Sequence, residues 1–343
     1  MNYSIIIYSV ISFFILYFCG KLSYRLNLLD IPNNRKIHSE ATAYTGGIAI
    51  SIILLGAITL FDDFNKSLSL ILSIAFLISI VGLIDDRYHL NIGGKLSLQT
   101  IPIIYLVIFE NLILNHIGEY NYFKLDLGAF AIPFTFLSVL FLINAFNYFD
   151  GIDGMLGLTS ISVLAILYFL ASTRSTHFLV SEQNIQFFLI AVLIPIVIFL
   201  FFNFSFFKLP KLFLGDGGSL LLGFIISFIL IYFANQNFIH PILLAWSIVI
   251  FVYEFLSINI IRLKDNQKLF KAGQDHLHHI MLKKTNSVFF TNFTMCSLNI
   301  LLFTIGYLSF LFINEFVSFI LFVAFFIIFF LLRDKYSMKR KKI

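Results

Sequence analysis

Charged residues are scarce in this sequence. Asp, Glu, Lys and Arg together make up 12% of its 343 residues, whereas 59% are hydrophobic and Phe alone occurs 45 times. Soluble domains carry about 25% charged residues, and a compact domain of this size could not bury so much apolar surface. The same composition excludes intrinsic disorder. Most of the chain must therefore have lipid as its solvent.

Cysteine is almost absent as well. Cys19 and Cys296 both lie inside apolar runs, which excludes a disulfide framework or a zinc site built on cysteine. The net charge is +5. In a soluble protein this excess would suggest nucleic acid, but in a membrane protein it indicates basic loops that face anionic lipid. We therefore expect membrane lipid as a partner and no nucleic acid.

Long apolar runs fill most of the chain, and each is of the order needed to cross about 30 Å of hydrocarbon as a helix. The pattern predicts an all-α, polytopic integral membrane protein with about 11 transmembrane helices. We expect residues 1–343 to form a single transmembrane domain. The predicted spans are 2–20, 45–61, 68–84, 97–113, 129–146, 155–172, 186–204, 217–234, 239–261, 291–312 and 316–332.

The distribution of basic residues predicts the orientation. Of the 23 Lys and Arg residues, all but Lys66, Lys124 and Arg174 fall on one side of the predicted spans. Because cytoplasmic loops are enriched in basic residues, this side is expected to be cytoplasmic, with a periplasmic N-terminus and a cytoplasmic C-terminus. Its segments are the loops 21–44, 85–96, 147–154, 205–216 and 262–290 and the basic tail 333–343.

Aspartates and histidines gather on the same predicted side, after the third, fifth, seventh and ninth spans. Since all these loops open on one face of the membrane, we expect them to form one polar active site. The residues are Asp85, Asp86, Asp150, Asp153, Asp216, His276, His278 and His279.

The segment NAFNYFDGIDG carries an oxygen-bearing side chain at every third residue: Asn144, Asn147, Asp150 and Asp153. Their oxygens are the hard ligands that Mg²⁺ accepts. A helix cap needs only one such side chain, so the repeated pattern favours a metal or phosphate site. The segment FLGDGGS opens the eighth span, where Asp216 is expected either to cap the helix or to hold a metal that bridges to phosphate.

Other motifs leave more than one interpretation open. Asp85 and Asp86 end a very apolar helix, where each unpaired charge costs roughly 2.5–3.5 kcal/mol. A divalent cation or a basic partner would offset this cost, and a simple acidic pair at a helix end is the alternative. The histidines fit a grip on phosphates, a zinc site or a plain polar loop. The basic segment PNNRKIH, which contains Lys36, suits a phosphate-bearing ligand or an anionic lipid surface.

Taken in order, the motifs PNNRKIH with TGG, GLIDDR, NAFNYFDGIDG, FLGDGGS and HLHH resemble those of the polyprenyl-phosphate N-acetylhexosamine-1-phosphate transferase superfamily (glycosyltransferase family 4). The resemblance implies transfer of GlcNAc-1-phosphate, or a related amino-sugar phosphate, from a UDP-N-acetylhexosamine to undecaprenyl phosphate, with release of UMP. The HLHH and FDGIDG segments are more similar to the branch that starts O-antigen and other envelope polysaccharides. The alternative is the peptidoglycan branch, which transfers phospho-MurNAc-pentapeptide.

The resemblance also implies roles for matching positions. A catalytic role is implied for Asp85, Asp86, Lys95, Asp150, His278 and His279. Substrate binding is implied for Lys36, Asn144, Asp153, Phe213, Arg262 and His276. Mg²⁺, with Mn²⁺ as a substitute, is expected at Asp216 and Asn147. Homodimers occur in the superfamily.

Some positions depart from the superfamily pattern. Ala43 stands where a proline commonly precedes the glycine pair, and Gly273-Gln274 replaces the expected Asp-Arg before the histidines. A rival interpretation from another class is a secondary transporter, since acids within spans and broken spans fit it. A transporter, however, places its charges near the membrane midplane, whereas here they cluster on one face.

Overall fold

The computed structural model of the protein describes residues 2–32, 40–61, 64–121, 123–173, 181–267, 269 and 275–340. The fold is mostly helical. Its helices are α1 (Asn2–Arg25), α2 (Gly46–Leu60), α3 (Lys66–Tyr88), α4 (Ile92–Ile104), α5 (Ala131–Phe149), α6 (Met155–Thr173), α7 (Ser181–Asn203), α8 (Gly215–Asn235), α9 (Pro241–Ser247), α10 (Val249–Lys264), α11 (Leu277–Thr285), α12 (Val288–Phe312) and α13 (Glu315–Arg340).

Most of these helices meet the requirements of a membrane span. Over the described ranges, 9 helices are long and apolar enough to cross a bilayer, or up to 10 if α9 and α10, which meet at a bend of 75°, form one span. The helix α2 is shorter, at 15 residues, whereas α4 continues through a π-helical segment, Tyr105–Phe109, and so reaches the length of a span. The prediction of a polytopic, mostly helical membrane protein is therefore confirmed. The count of eleven spans and the orientation stay predictions.

The fold differs from the all-α prediction in two places. Strand β1 (Leu29–Asp30) pairs with β2 (Thr42–Ala43), and β3 (His116–Tyr120) pairs with β4 (Phe123–Asp126), both antiparallel. These short pairs satisfy backbone groups that would otherwise lack partners where the chain leaves a helix.

The predicted loop 85–96 is also mostly helical. Helix α3 runs to Tyr88, and α4 begins at Ile92, where the side chain of Asn91 caps it by accepting a hydrogen bond from the Gly94 N–H. As a result, the neighbouring aspartates Asp85 and Asp86 lie in the last turns of α3. Lys95 lies in the first turn of α4, so all three side chains are held by helices.

Helix α8 is the centre of the bundle. In its most apolar stretch 94% of the residues are buried by protein, against 6% in α13. Glycines allow this packing. A Cβ atom at Gly47 in α2 would collide with the backbone of Gly218, and one at Gly82 in α3 would collide with the backbone of Asp216 and Gly217. Helices α2 and α3 can therefore cross the start of α8 in direct backbone contact.

The break between α9 and α10 is closed by a side chain from α12. The Asn299 side chain accepts a hydrogen bond from the Ile250 N–H at 3.4 Å and donates one to the Ser247 carbonyl at 3.2 Å. In an apolar environment each backbone group freed by a bend needs a partner. Asn299 supplies partners on both sides of the break.

Candidate active site

The predicted aspartates meet at one end of the bundle, around Lys95. The Lys95 ammonium lies 2.7 Å from Oδ2 of Asp85 and also donates a hydrogen bond to Oδ2 of Asp216. Helix α4 thus brings one cation between a carboxylate from α3 and another from α8. Because the group is shielded from bulk water, this charge pairing is stronger than it would be on a soluble surface.

Asp216 is held from both sides. Its Oδ1 accepts a hydrogen bond from the Asn147 side-chain amide at 2.8 Å, and the same amide nitrogen lies 2.8 Å from Oγ of Ser219. One residue further along α8, the Gly217 N–H donates to Oδ2 of Asp86 at 3.3 Å. The first turn of a helix favours negative charge, so the start of α8 suits these carboxylates.

Asp150 follows α5 directly and faces the same group. Burial, together with the charges of Asp216 and Asp153, raises the pKa of Asp150 to about 8. A carboxyl group with so high a pKa gains stability from any cation that enters beside it. Asp150 is therefore mostly protonated at pH 7, and a cation that enters the acidic cluster (Asp85, Asp86, Asp150 and Asp216) would favour its ionised form.

The histidine segment, residues 276–279, packs against the loop that follows Asp150. A Cβ atom at Gly151 would lie 2.5 Å from Nε2 of His278 and 2.9 Å from Nε2 of His279, so only glycine fits there. His278 is fully buried, and among the described residues neither of its ring nitrogens has a hydrogen-bond partner. Burial and the neighbouring His279 and His276 lower the pKa of His278, and burial together with His276 and Lys283 lowers that of His279 to about 4. Both rings are neutral at pH 7.

These side chains surround a cavity of about 1200 Å³. The cavity joins the acidic cluster to an aromatic side chain, Phe213, and to the histidine segment. The predicted site residues that line it are Asp85, Asp86, Asp150, Asp153, Phe213, Asp216 and His279.

Comparison with known proteins identifies the family of the chain. The chain is 32% identical over 292 residues to an undecaprenyl-phosphate alpha-N-acetylglucosaminyl 1-phosphate transferase of Pasteurella multocida (strain Pm70). This match covers 82% of this chain and 79% of the relative. The sequence pattern described as Glycosyl transferase family 4 matches residues 68–234.

The chain belongs to glycosyl transferase family 4. Proteins with the same name from Escherichia coli (strain K12) and Salmonella typhimurium (strain LT2) are each 28% identical to it. The first match covers 78% of this chain and 72% of the relative, and the second covers 82% and 75%. The family predicted from the motifs is confirmed.

The family match includes Asp85, Asp86, Asp150, Asp153 and Asp216 but ends before the histidines. Asp153, a member of the matched region, forms an ion pair with Lys211 at 2.6 Å. The Lys211 ammonium also lies 5.3 Å from the centre of the Phe213 ring. Sequence reasoning missed Lys211, although a basic residue two positions before Phe213 was a usable signal.

Other predicted site residues do not line the cavity. Asn144 is buried and donates a hydrogen bond to the Gln99 side chain at 3.0 Å. Since Gln99 lies one turn after Lys95, and Asn144 one turn before Asn147, this amide pair fixes α4 against α5. Sequence reasoning missed Gln99, because a single polar residue in an apolar helix does not reveal its partner.

Arg262 and His276 also lie away from the cavity. The Arg262 guanidinium is buried and lies 3.0 Å from Oδ1 of Asp275. The ring of His276 lies 4.6 Å from that of Tyr148, centre to centre. Lys36 and the pair Gly273-Gln274 lie outside the described residues. The predicted roles of all these residues remain predictions.

The carboxyl and amide side chains of the site are compatible with Mg²⁺, although those that the structure describes do not form a complete coordination shell by themselves. Within the described residues, no group of three or more His, Cys, Asp or Glu side chains is arranged to hold a metal ion. Mg²⁺, however, usually takes one or two carboxylates, with substrate phosphate and water completing its shell. Asp216 and Asp86, whose Oδ2 accepts a hydrogen bond from the Gly217 N–H next to Asp216, can supply that number. Asn147 contacts Asp216 through its amide nitrogen, so here it orients Asp216.

Proposed function

We propose that this family 4 enzyme transfers N-acetylhexosamine-1-phosphate from a UDP-sugar to undecaprenyl phosphate and releases UMP. The reaction would be the first membrane step in the synthesis of O-antigen or another envelope polysaccharide. The observation that carries the proposal is the convergence of Asp85, Asp86, Asp150 and Asp216, from separate motifs, on one cavity. The relatives in Pasteurella, Escherichia and Salmonella, which are named undecaprenyl-phosphate alpha-N-acetylglucosaminyl 1-phosphate transferases, support it.

The cavity suits two phosphate-bearing substrates. Its acidic cluster contains four carboxyl groups beside Lys95, so cations that enter with a diphosphate would favour the ionised form of these groups. In this proposal Asp216 and Asp86 would hold Mg²⁺, for which Mn²⁺ can substitute, and Asn147 keeps Asp216 in position. When bound, the metal would offset charge on the diphosphate and on the departing UMP.

The chain's own residues supply the rest of the chemistry by positioning and electrostatics, as expected for phosphoryl transfer. Lys95, between Asp85 and Asp216, is a cation at the centre of the site. Asp85 orients the lipid phosphate or accepts its proton. The neutral ring of His279 lines the cavity beside Gly151 and can donate a hydrogen bond without adding charge, and the buried ring of His278 packs against it.

In the direct route, an oxygen of the lipid phosphate attacks the β-phosphorus of the UDP-sugar. A new P–O bond forms, the bond from the β-phosphorus to the bridging oxygen breaks, and UMP leaves with that oxygen. In a two-step route an aspartate attacks first and the lipid phosphate then displaces it. Incubation with a UDP-sugar labelled in the β-phosphate, without lipid acceptor, separates the two routes. Label bound covalently to the protein would support the two-step route, and its absence would exclude it.

The proposed function is tested by UMP release from purified enzyme with Mg²⁺, undecaprenyl phosphate and a panel of UDP-sugars. The panel contains UDP-GlcNAc, UDP-GalNAc and UDP-MurNAc-pentapeptide. We expect UMP from an N-acetylhexosamine substrate, dependent on both the lipid and the metal. Release from UDP-MurNAc-pentapeptide alone would place the enzyme in the peptidoglycan branch. No release from any UDP-sugar, together with solute uptake in proteoliposomes, would replace the proposal by the transporter.

The location and assembly of the enzyme follow as further proposals. A polytopic enzyme that uses undecaprenyl phosphate would lie in the bacterial inner membrane, with its cavity on the cytoplasmic side where UDP-sugars are made. The homodimer implied by the superfamily stays a prediction.

A further inference from the structure

The last helix of the bundle carries one buried arginine. Few residues of helix α13 are buried by protein, yet Arg333 is only 6% exposed. Its guanidinium Nη2 lies 2.9 Å from Oε1 of Glu254 in α10. The same nitrogen donates a hydrogen bond to the Asp275 carbonyl at 2.9 Å. Arg333 therefore joins the last helix to the residue that precedes the histidines.

Glu254 holds the next part of the same segment. It is 1% exposed, and its Oε1 accepts a hydrogen bond from the Leu277 N–H at 2.8 Å. The same oxygen lies 3.8 Å from Nδ1 of His276. A free N–H in the first turn of a helix needs such an acceptor, so Glu254 caps the start of α11.

A second arginine fixes the segment from the other side. The Arg262 guanidinium, in α10, contacts both carboxylate oxygens of Asp275, at 3.0 and 3.2 Å. The two buried arginines thus pair with two carboxylates, those of Glu254 and Asp275, so the charges around residues 275–277 balance. This balance matters because a buried charge that loses its partner is strongly destabilising.

The held segment leads directly into the cavity wall. His278 and His279 follow it by one and two residues and pack against Gly151, beside Asp150. We propose that Arg333 is a positioning residue, which fixes the histidine segment through Glu254 and the Asp275 carbonyl and so makes the C-terminal helix part of the transferase site. The inference rests on the proposed function, since its readout is transfer. The sequence had indicated only a basic tail from residue 333.

The test compares Arg333→Met with the wild type in the UMP-release assay, at equal amounts of folded protein. We expect kcat/KM for the UDP-sugar to fall on the order of 100-fold, because displacement of site groups by about 1 Å has effects of that size. KM itself should rise, and backbone hydrogen exchange over residues 275–285 should become faster. Loss of folded enzyme alone would lower the rate without changing KM. Lys335→Met, an exposed residue two positions along the same helix, is the control and should match the wild type.

A second variant keeps the inference testable if Arg333→Met folds poorly. Arg333→Met combined with Glu254→Gln removes both charges of the buried pair. This double variant should fold, because no buried charge is left without a partner. The Asp275 carbonyl, however, still lacks the hydrogen bond that Arg333 donates in the wild type. We expect the raised KM and the faster exchange to persist. A wild-type KM and wild-type exchange in this double variant would show that Arg333 is only a counter-ion and would overturn the inference. If the wild type itself releases no UMP, the proposed function fails instead.

Discussion

Asp216 is the side chain on which the polar contacts of the site converge. Its two oxygens are shared between Lys95 and Asn147, and its helix begins beside Asp86. Asp216→Asn keeps the size of the side chain but removes its charge and one acceptor. We expect transfer to fall by a factor on the order of 100 or more, as when a group that stabilises developing charge is lost. Thermal stability in detergent should stay near that of the wild type.

Asp126→Asn is the matched control for this change. Asp126 is exposed on the β3–β4 hairpin, and its Oδ1 accepts a hydrogen bond from the Gly128 N–H, which asparagine can also accept. Its transfer rate should equal that of the wild type. Normal turnover in Asp216→Asn would remove the proposed metal site.

His279 gives the protein a pH-dependent stability. Its pKa is about 4 in the folded chain, below the ordinary value of 6.5. Above pH 6.5 the ring is neutral in both the folded and the unfolded states. As the pH falls from 6.5 towards 4, only the unfolded state binds the proton, so the free energy of unfolding decreases.

The measurement is the melting temperature in detergent between pH 7 and 4.5, for the wild type and for His279→Gln. We expect the melting temperature of the variant to fall less steeply over this range. Parallel curves for the two proteins would show that the ring is not held in its neutral form.

Residues within a motif were more predictable from the sequence than residues between motifs. Asp85, Asp150 and Asp216 stand in compact polar segments, and the structure brings them together as expected. Gln99 stands outside the polar motifs, and Arg333 is the first residue of the basic tail. Their roles depend on partners far along the chain, which one sequence does not reveal.

At the scale of elements, three helices depend on glycine contacts. Gly47→Ala would force α2 away from the backbone of Gly218 at the start of α8, next to Asp216. We expect a lower melting temperature and loss of most transfer activity. Gly56→Ala on the same helix meets no atom within 4 Å. Since alanine favours a helix over glycine by about 1 kcal/mol, this control should be as stable as the wild type or more so, with normal activity. Equal behaviour of the two variants would contradict the packing argument.

Helices were predicted well where apolar runs are long and uninterrupted, because length and hydropathy are direct requirements of the bilayer. Their ends were less predictable. Helix α3 continues through the aspartates, since a polar residue does not by itself end a helix. The break between α9 and α10 lies at Ile248, where no Pro or Gly marks it. The compensating Asn299 lies in another helix and was not visible as a partner.

For the whole molecule, the fold separates the cavity from the β3–β4 hairpin. Lys95 lies at the start of α4 and Asn147 at the end of α5, and both contact Asp216. The segment that joins the far ends of α4 and α5, which includes the hairpin, therefore lies at the opposite end of the bundle. The distribution of basic residues predicts that the hairpin is periplasmic and the cavity cytoplasmic.

Single cysteines test this orientation in a chain whose Cys19 and Cys296 are replaced by alanine. Glu119→Cys, on the hairpin, should react with a membrane-impermeant maleimide in intact cells. Arg25→Cys, two residues before the cavity-lining Asn27, should react only after the membrane is made permeable. The reverse pattern would invert the proposed orientation.

The deep burial of α8 separates the site from changes in the bilayer. A change in membrane thickness acts first on helices that touch lipid, by tilting them. Asp216 stands on a helix that other helices enclose, whereas the histidines are tied through Arg333 to a helix that faces lipid. We therefore expect the position of Asp216 to depend less on lipid composition than that of the histidines.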